Sequence, residues 1–167
     1  MFHSPSGIRS DHRFCIDINS EEFSNAKGAI MENDFWLNLA SKDLKKSKEF
    51  FTKIGFKINE RQSAPHMVSM IIGTKEIILN LFLESDMQSY SQNTVSDPSE
   101  STEILFSLGV KSRSEVDQLA EKVVAAGGIL YNKPGEKNGW MYGCGFVDPD
   151  GHRWSALYMD MSKMPKS

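Results

Sequence analysis

The chain has 167 residues, 40% of them hydrophobic and 25% charged, and a formal net charge of −3. That size and composition suit one soluble globular domain, or two very small ones that share a core. They leave no basic footprint for nucleic acid and no apolar run long enough to span a bilayer. Cys15 and Cys144 are too few and too far apart to read as a disulfide framework.

Residues 1–30 carry Arg9, Asp11, Arg13, Asp17, Glu21 and Glu22 in place of the apolar core of a secretion signal. They are expected to form a weakly ordered extension, or a short helix over Ser20–Ala29, of a cytoplasmic protein. From Asp34 to Ala40 the residues alternate as a strand. Asp43 is a helix cap, Leu44, Phe51 and Ile54 fall near one helical face, and Gly55 is a stop. A strand follows from Phe56. The runs His66–Ile72 and Lys75–Leu83 read as a hairpin joined at Gly73-Thr74. Residues 85–101 are polar and read as a linker. Ile104–Val110 is again a strand. Ser112-Arg113-Ser114-Glu115 is a capping-box signature ahead of Val116, Leu119, Ala120 and Val123 at helical spacing. Gly127-Gly128 ends that helix, and Gly128–Asn132 is a short strand. Trp140–Val147 and His152–Met159 form the last hairpin, turning at Asp148-Pro149-Asp150-Gly151.

The order strand-helix-strand-strand-strand thus occurs twice. The fold class expected is α+β: two tandem βαβββ modules, 31–84 and 102–161, with a tail at 162–167, packed into one joined sheet. Alternation sorts the side chains. Phe35, Leu37 and Leu39, then Ile77, Leu79, Leu81 and Leu83, then Ile104, Phe106, Leu108 and Val110 make apolar faces suited to the two helices. Trp36, Asn38 and Ala40, then Ile78, Asn80 and Phe82, then Leu105, Ser107 and Gly109 make mixed faces. A mixed face suits either a concave binding surface or a second core layer whose amides and hydroxyls bond locally.

Other candidates have plainer readings. Asp148 and Asp150 shape and solvate the turn. His66, after Pro65, enters a strand. Cys144 stands between Gly143 and Gly145 with no base beside it, so it reads as a small buried hydrophobe, and the flanking glycines suggest close backbone approach. Lys42, Lys45, Lys46, Lys48 and Lys53 read as a solvated helix face. There is no nucleophile elbow and no phosphate loop.

The hairpin Gly145-Phe146-Val147-Asp148-Pro149-Asp150-Gly151-His152-Arg153-Trp154-Ser155-Ala156-Leu157-Tyr158 resembles the C-terminal hairpin of the vicinal-oxygen-chelate superfamily of glyoxalase, bleomycin-resistance and extradiol-dioxygenase proteins. The stretches Asn38–Phe51, Ala125–Gly128 and Trp140–Gly143 are similar to a branch labelled predicted lactoylglutathione lyase. The resemblance covers about residues 34 to 160. It implies that the two modules form an open, curled eight-stranded mixed sheet around a cavity that takes a ligand, which favours the binding-surface reading, and a homodimer. In metal-dependent members it implies four ligand positions, which fall here on Trp36, Asn80, Leu105 and Ser155. None of these is His, Glu, Asp or Cys, and a slip towards Asn38 or Ser107 also lands on a neutral group. Cations of this kind want charged oxygen, imidazole or thiolate.

The function expected is therefore binding of a small, largely neutral or aromatic molecule with no metal and no other cofactor. Trp36 and Trp140 or Tyr142 would supply stacking area, and Asn38, Asn80, Ser107 and Ser155 hydrogen bonds. The alternatives are a metal-dependent glyoxalase-like lyase or dioxygenase with relocated ligands, whose divalent cation polarises adjacent oxygens, and a non-catalytic interaction module. Neither nucleic acid nor membrane is an expected partner.

Overall fold

The structure is a computed structural model and describes residues 34–165. The expectations for residues 1–30 lie outside the described residues. The first module runs through strand β1 (Trp36–Ser41), helix α1 (Leu44–Ile54), and strands β2 (Lys57–Ile58), β3 (Met67–Ile72) and β4 (Ile77–Leu83). The second runs through β5 (Leu105–Gly109), helix α3 (Arg113–Ala125), β6 (Ile129–Lys137), β7 (Met141–Val147) and β8 (Arg153–Met159). Between them stands a third helix, α2 (Glu84–Ser91).

The local signals explain the boundaries. Asp43 caps α1 by accepting from the Lys46 amide at 3.0 Å. At the other end Gly55, at φ 99°, lets the Phe56 amide reach the Phe51 carbonyl at 2.8 Å. Ser112 accepts from the Glu115 amide at 3.2 Å, while the Glu115 carboxylate reaches back to the Lys111 amide at 2.9 Å, one residue beyond the usual capping box. In the last hairpin the Gly151 amide donates to the Asp148 carbonyl at 3.1 Å. Gly151 then takes a left-handed φ of 102° that returns the chain into β8.

The two modules have the same topology. Each is a four-stranded sheet, ordered β1-β4-β3-β2 and β5-β8-β7-β6, in which the first strand lies parallel to the last and the other pairs are antiparallel. The fold is α+β as expected. The eight strands divide into two hydrogen-bonded sheets, and neither closes into a barrel.

Two expectations need correction. Part of the segment read as a linker is α2, which the sequence hid because it has no side-chain cap and no fully buried residue. Glu84 and Asp86 in its first turn complement the helix dipole. The short strand expected at Gly128–Asn132 extends to Lys137 as β6, with register shifts between Leu130 and Asn132 and between Asn132 and Gly135. Pro134 is tolerated there because β6 is an edge strand.

From Phe35 onward the chain is one compact unit, and its main core is common to both modules. Leu39, Phe50, Phe51, Ile54, Met70, Leu79 and Leu81 of the first pack with Val123, Phe146 and Trp154 of the second. Rings carry the junction: Phe51 and Phe56 meet Trp154 edge-on at 5.4 Å each, while Phe106 and Phe146 stack on it at 4.6 and 6.1 Å. Of the apolar strand faces foreseen from alternation, Leu37, Leu39, Leu79, Leu81, Leu83, Phe106 and Leu108 pack into this core, whereas Phe35, Ile77 and Ile104 at their ends are exposed.

Candidate functional site

The faces turned away from the core carry the polar groups. In the first module, register pairs Trp36 with Ile78, Asn38 with Asn80 and Ala40 with Phe82. In the second it pairs Leu105 with Arg153, Ser107 with Ser155 and Gly109 with Leu157. Asn38–Asn80 and Ser107–Ser155 thus occupy the same place in the two modules. Each pair is joined across the strands: the Asn80 amide donates to Asn38 Oδ1 at 3.0 Å, and the two serine hydroxyls share a hydrogen bond at 2.9 Å. Asn80 and Ser155 are buried, whereas Asn38 and Ser107 are exposed. Both pairs are neutral, and each keeps donor and acceptor capacity beyond its internal bond.

The remaining residues expected at the site are distributed differently. Trp36 and Leu105 share these faces and are 56% and 53% exposed, large apolar groups with no cover of their own. Tyr142 is on the opposite face. It alternates with Cys144 and Phe146, packs beside Val116 and Ala120, and donates to Asp117 Oδ1 at 2.9 Å. That bond to a carboxylate pushes its pKa up. Trp140 stands at the β6–β7 turn, and its carbonyl accepts from the Asp160 amide. Asp160 is five residues beyond Ser155, about 17 Å at the rise of a strand. Neither aromatic joins the polar pairs.

The four positions that the resemblance assigns to a metal sit diagonally in the register, Trp36 to Asn80 and Leu105 to Ser155. They offer an indole, an amide, an isobutyl group and a hydroxyl. Only two oxygens are available, both uncharged, so this donor set does not fit a divalent cation. Among the described residues no three His, Cys, Asp or Glu side chains converge into a group that would hold a metal.

The Asp148–His152 turn does more than shape a hairpin. Asp148 Oδ1 accepts from the Asp150 and His152 amides at 3.0 Å each, and its Oδ2 accepts from Trp154 Nε1 at 3.0 Å. Asp150 reaches into the first module, accepting from the Lys42 amide at 2.7 Å and the Ser47 hydroxyl at 2.6 Å. His152 Nε2 meets the Ala40 carbonyl at 2.9 Å. A carbonyl only accepts, so Nε2 carries the proton. Cys144 is buried, and desolvation pushes its thiol pKa up, which disfavours a reactive thiolate.

Three features of these faces were missed in the sequence. Arg153, two residues before Ser155, shares its face. Tyr131 of β6 lies over Gly145, the register partner of Ser155, and donates to the Trp154 carbonyl at 3.0 Å. The Arg153 guanidinium sits 4.7 Å from the Tyr131 ring centroid. Helix α2 crosses the first module's face, with Tyr90 edge-on to Phe82 at 5.3 Å. A cavity of about 240 Å³ opens beneath it, lined by Asn38, Met87, Thr102, Ile104, His152 and Arg153 among others. Arg153 was readable from alternation with Ser155, and Tyr131 only through the hint of close approach at Gly145.

Comparison with known proteins places these features in context. The sequence matches the Glyoxalase/Bleomycin resistance protein/Dioxygenase superfamily over residues 35–156. The structure is similar to that of the hypothetical protein SA1046 from S. aureus, which is 37% identical, with a TM-score of 0.69 over 80% of this chain and 99% of that one. It is also similar to a lactoylglutathione lyase from Agrobacterium tumefaciens (16% identical, TM-score 0.57, covering 80% of this chain and 98% of that one). The fosfomycin resistance protein FosX from Mesorhizobium loti is 13% identical, with a TM-score of 0.58 and the same coverage. At such identities the last two show the shared fold alone. No curated protein matches the chain.

Proposed function

We propose, from the premise that the chain belongs to the glyoxalase/bleomycin resistance protein/dioxygenase superfamily, that it binds a small organic molecule with a largely neutral, aromatic body on the faces bearing Asn38, Asn80, Ser107 and Ser155, without a metal ion. The observation that carries this reading is the pair of neutral dyads at equivalent register positions of the two modules. Two groups already joined to each other are fixed in place, and their spare donors and acceptors suit uncharged partners. Trp36 supplies apolar area beside the first dyad. The exposed Phe35, Trp36, Ile104 and Leu105 at the β1 and β5 edges support a homodimer, because a second copy would cover them.

The test uses N-phenyl-1-naphthylamine, a neutral aromatic fluorophore, on the full chain. Binding is expected to persist after dialysis against a chelator and to weaken several-fold in Trp36→Ala and Asn80→Ala, with light scattering giving the mass of two chains. Near-stoichiometric divalent metal in freshly purified protein, with binding lost on its removal, would overturn the metal-free reading.

A further inference from the structure

We propose that Arg153 recognises an anionic group, a carboxylate, on the ligand. The inference rests on the small-molecule reading above and adds to it the charge that the ligand carries.

The guanidinium is prepared for such a partner. Among the described residues it enters no ion pair and no side-chain hydrogen bond: the four ion pairs are Lys42–Asp97, Lys48–Glu60, Arg113–Glu136 and Lys163–Asp160. The carboxylates nearest in sequence are engaged elsewhere, Asp148 by two backbone amides and Trp154, and Asp150 by Lys42 and Ser47. Glu103 lines the same cavity and makes no ion pair with Arg153.

An unpaired arginine on an open surface is ordinary, but this one is held. It lies over Tyr131, whose hydroxyl is tied to the carbonyl of the residue next to Arg153. The ring occupies space that exists only because residue 145 is glycine, since a Cβ there would stand 2.7 Å from the Tyr131 hydroxyl and closer still to the ring. Stacking on an aromatic face orients the planar fork and limits the rotamer freedom lost when it binds. The fork's geometry matches the two oxygens of a carboxylate. Arg153 is among the residues lining a cavity that also includes Asn38 of the first module, so a ligand seated there lies beside a residue of each module.

The experiment compares benzoate with benzamide, which share size and shape and differ in charge, by ligand-detected NMR titration of the full chain. Wild type is expected to bind benzoate at least tenfold more tightly than benzamide. Arg153→Gln should abolish that preference through loss of benzoate affinity. Arg153→Lys, which keeps the charge and loses the fork, should retain only part of it. A preference that survives Arg153→Gln overturns the proposal. Equal binding of the two probes to wild type overturns it too, while leaving the small-molecule reading intact. Failure of both to bind overturns both readings.

Discussion

Asp148 holds its carboxylate almost out of solvent, 5% exposed, beneath Trp154. Burial disfavours the charged form and pushes its pKa above the ordinary 3.8, against the pull of His152 and the Trp154 hydrogen bond. A raised pKa in the folded chain means that folding tightens the hold on this proton. Its contribution to stability is therefore complete below pH 3.8 and is lost as the pH climbs through the raised value. Asp148→Asn removes that titration. It also sets an amide N–H against Trp154 Nε1–H or against the two backbone amides, whichever way the side chain is turned, so at least one donor faces a donor. The variant is expected to be less stable than wild type by about 1–3 kcal/mol at acid pH. The gap should narrow as the pH rises from about 3.5 to 7, a range that brackets ordinary and raised carboxylate values. Urea unfolding of both proteins across that range checks this. A gap that stays constant or widens would show that burial does not raise the Asp148 pKa.

At the scale of elements, the last hairpin is fastened to the first helix by Asp150, through the Lys42 amide ahead of α1 and the Ser47 hydroxyl inside it. Both bonds end on a carboxylate and are buried or partly so, a setting in which such bonds are stronger than neutral ones. Asp150→Ala is expected to cost about 2–4 kcal/mol, since it leaves a backbone amide and a buried hydroxyl without this acceptor. In a double-mutant cycle with Ser47→Ala the coupling should be about 1–3 kcal/mol; measured by urea unfolding, a coupling near zero would mean that the two elements are not tied here. This contact also marks where the sequence stops being legible. Caps at Asp43 and Ser112, stops at Gly55 and Gly127, and the alternation of β1, β4 and β5 are local patterns, and each leads to an element found in the structure. Helix α2 has no buried stripe to announce it, and Pro134 interrupts β6 where an edge strand tolerates it. Tyr142 was set with the ligand residues because aromatic character is visible in a sequence, whereas its face follows from its phase with Cys144 and Phe146. The Asp150–Ser47 bond joins residues 103 positions apart, and no spacing rule reaches that far. The neutral dyads were legible one residue at a time, while their pairing needed the register.

For the molecule as a whole, the question is whether two modules with the same topology behave as two folding units or one. Each sheet has its own hydrogen-bonded ladder, which would allow independent behaviour. The core argues otherwise. Phe51 of α1 is fully buried and lies edge-on to Trp154 of β8, and the largest buried cluster takes side chains from both modules. The cluster confined to the second module, Val116, Ala120, Cys144 and Ala156, is made of small groups, too little apolar area to sustain that module alone. Phe51→Ala should therefore cost about 3–5 kcal/mol, and that loss should fall on both modules together. In a Trp36→Phe, Trp140→Phe background Trp154 of β8 is the one tryptophan left and its fluorescence reports on its own surroundings, while far-UV circular dichroism reports on both modules. In urea the two probes should give one coincident transition for this background and one, at lower denaturant, for Phe51→Ala within it. If the Trp154 signal kept its midpoint in Phe51→Ala while part of the dichroism was lost earlier, the modules would be separate units. A ligand bridging Asn38 and Arg153 would then span a joint that opens, rather than a fixed cavity within one cooperative body.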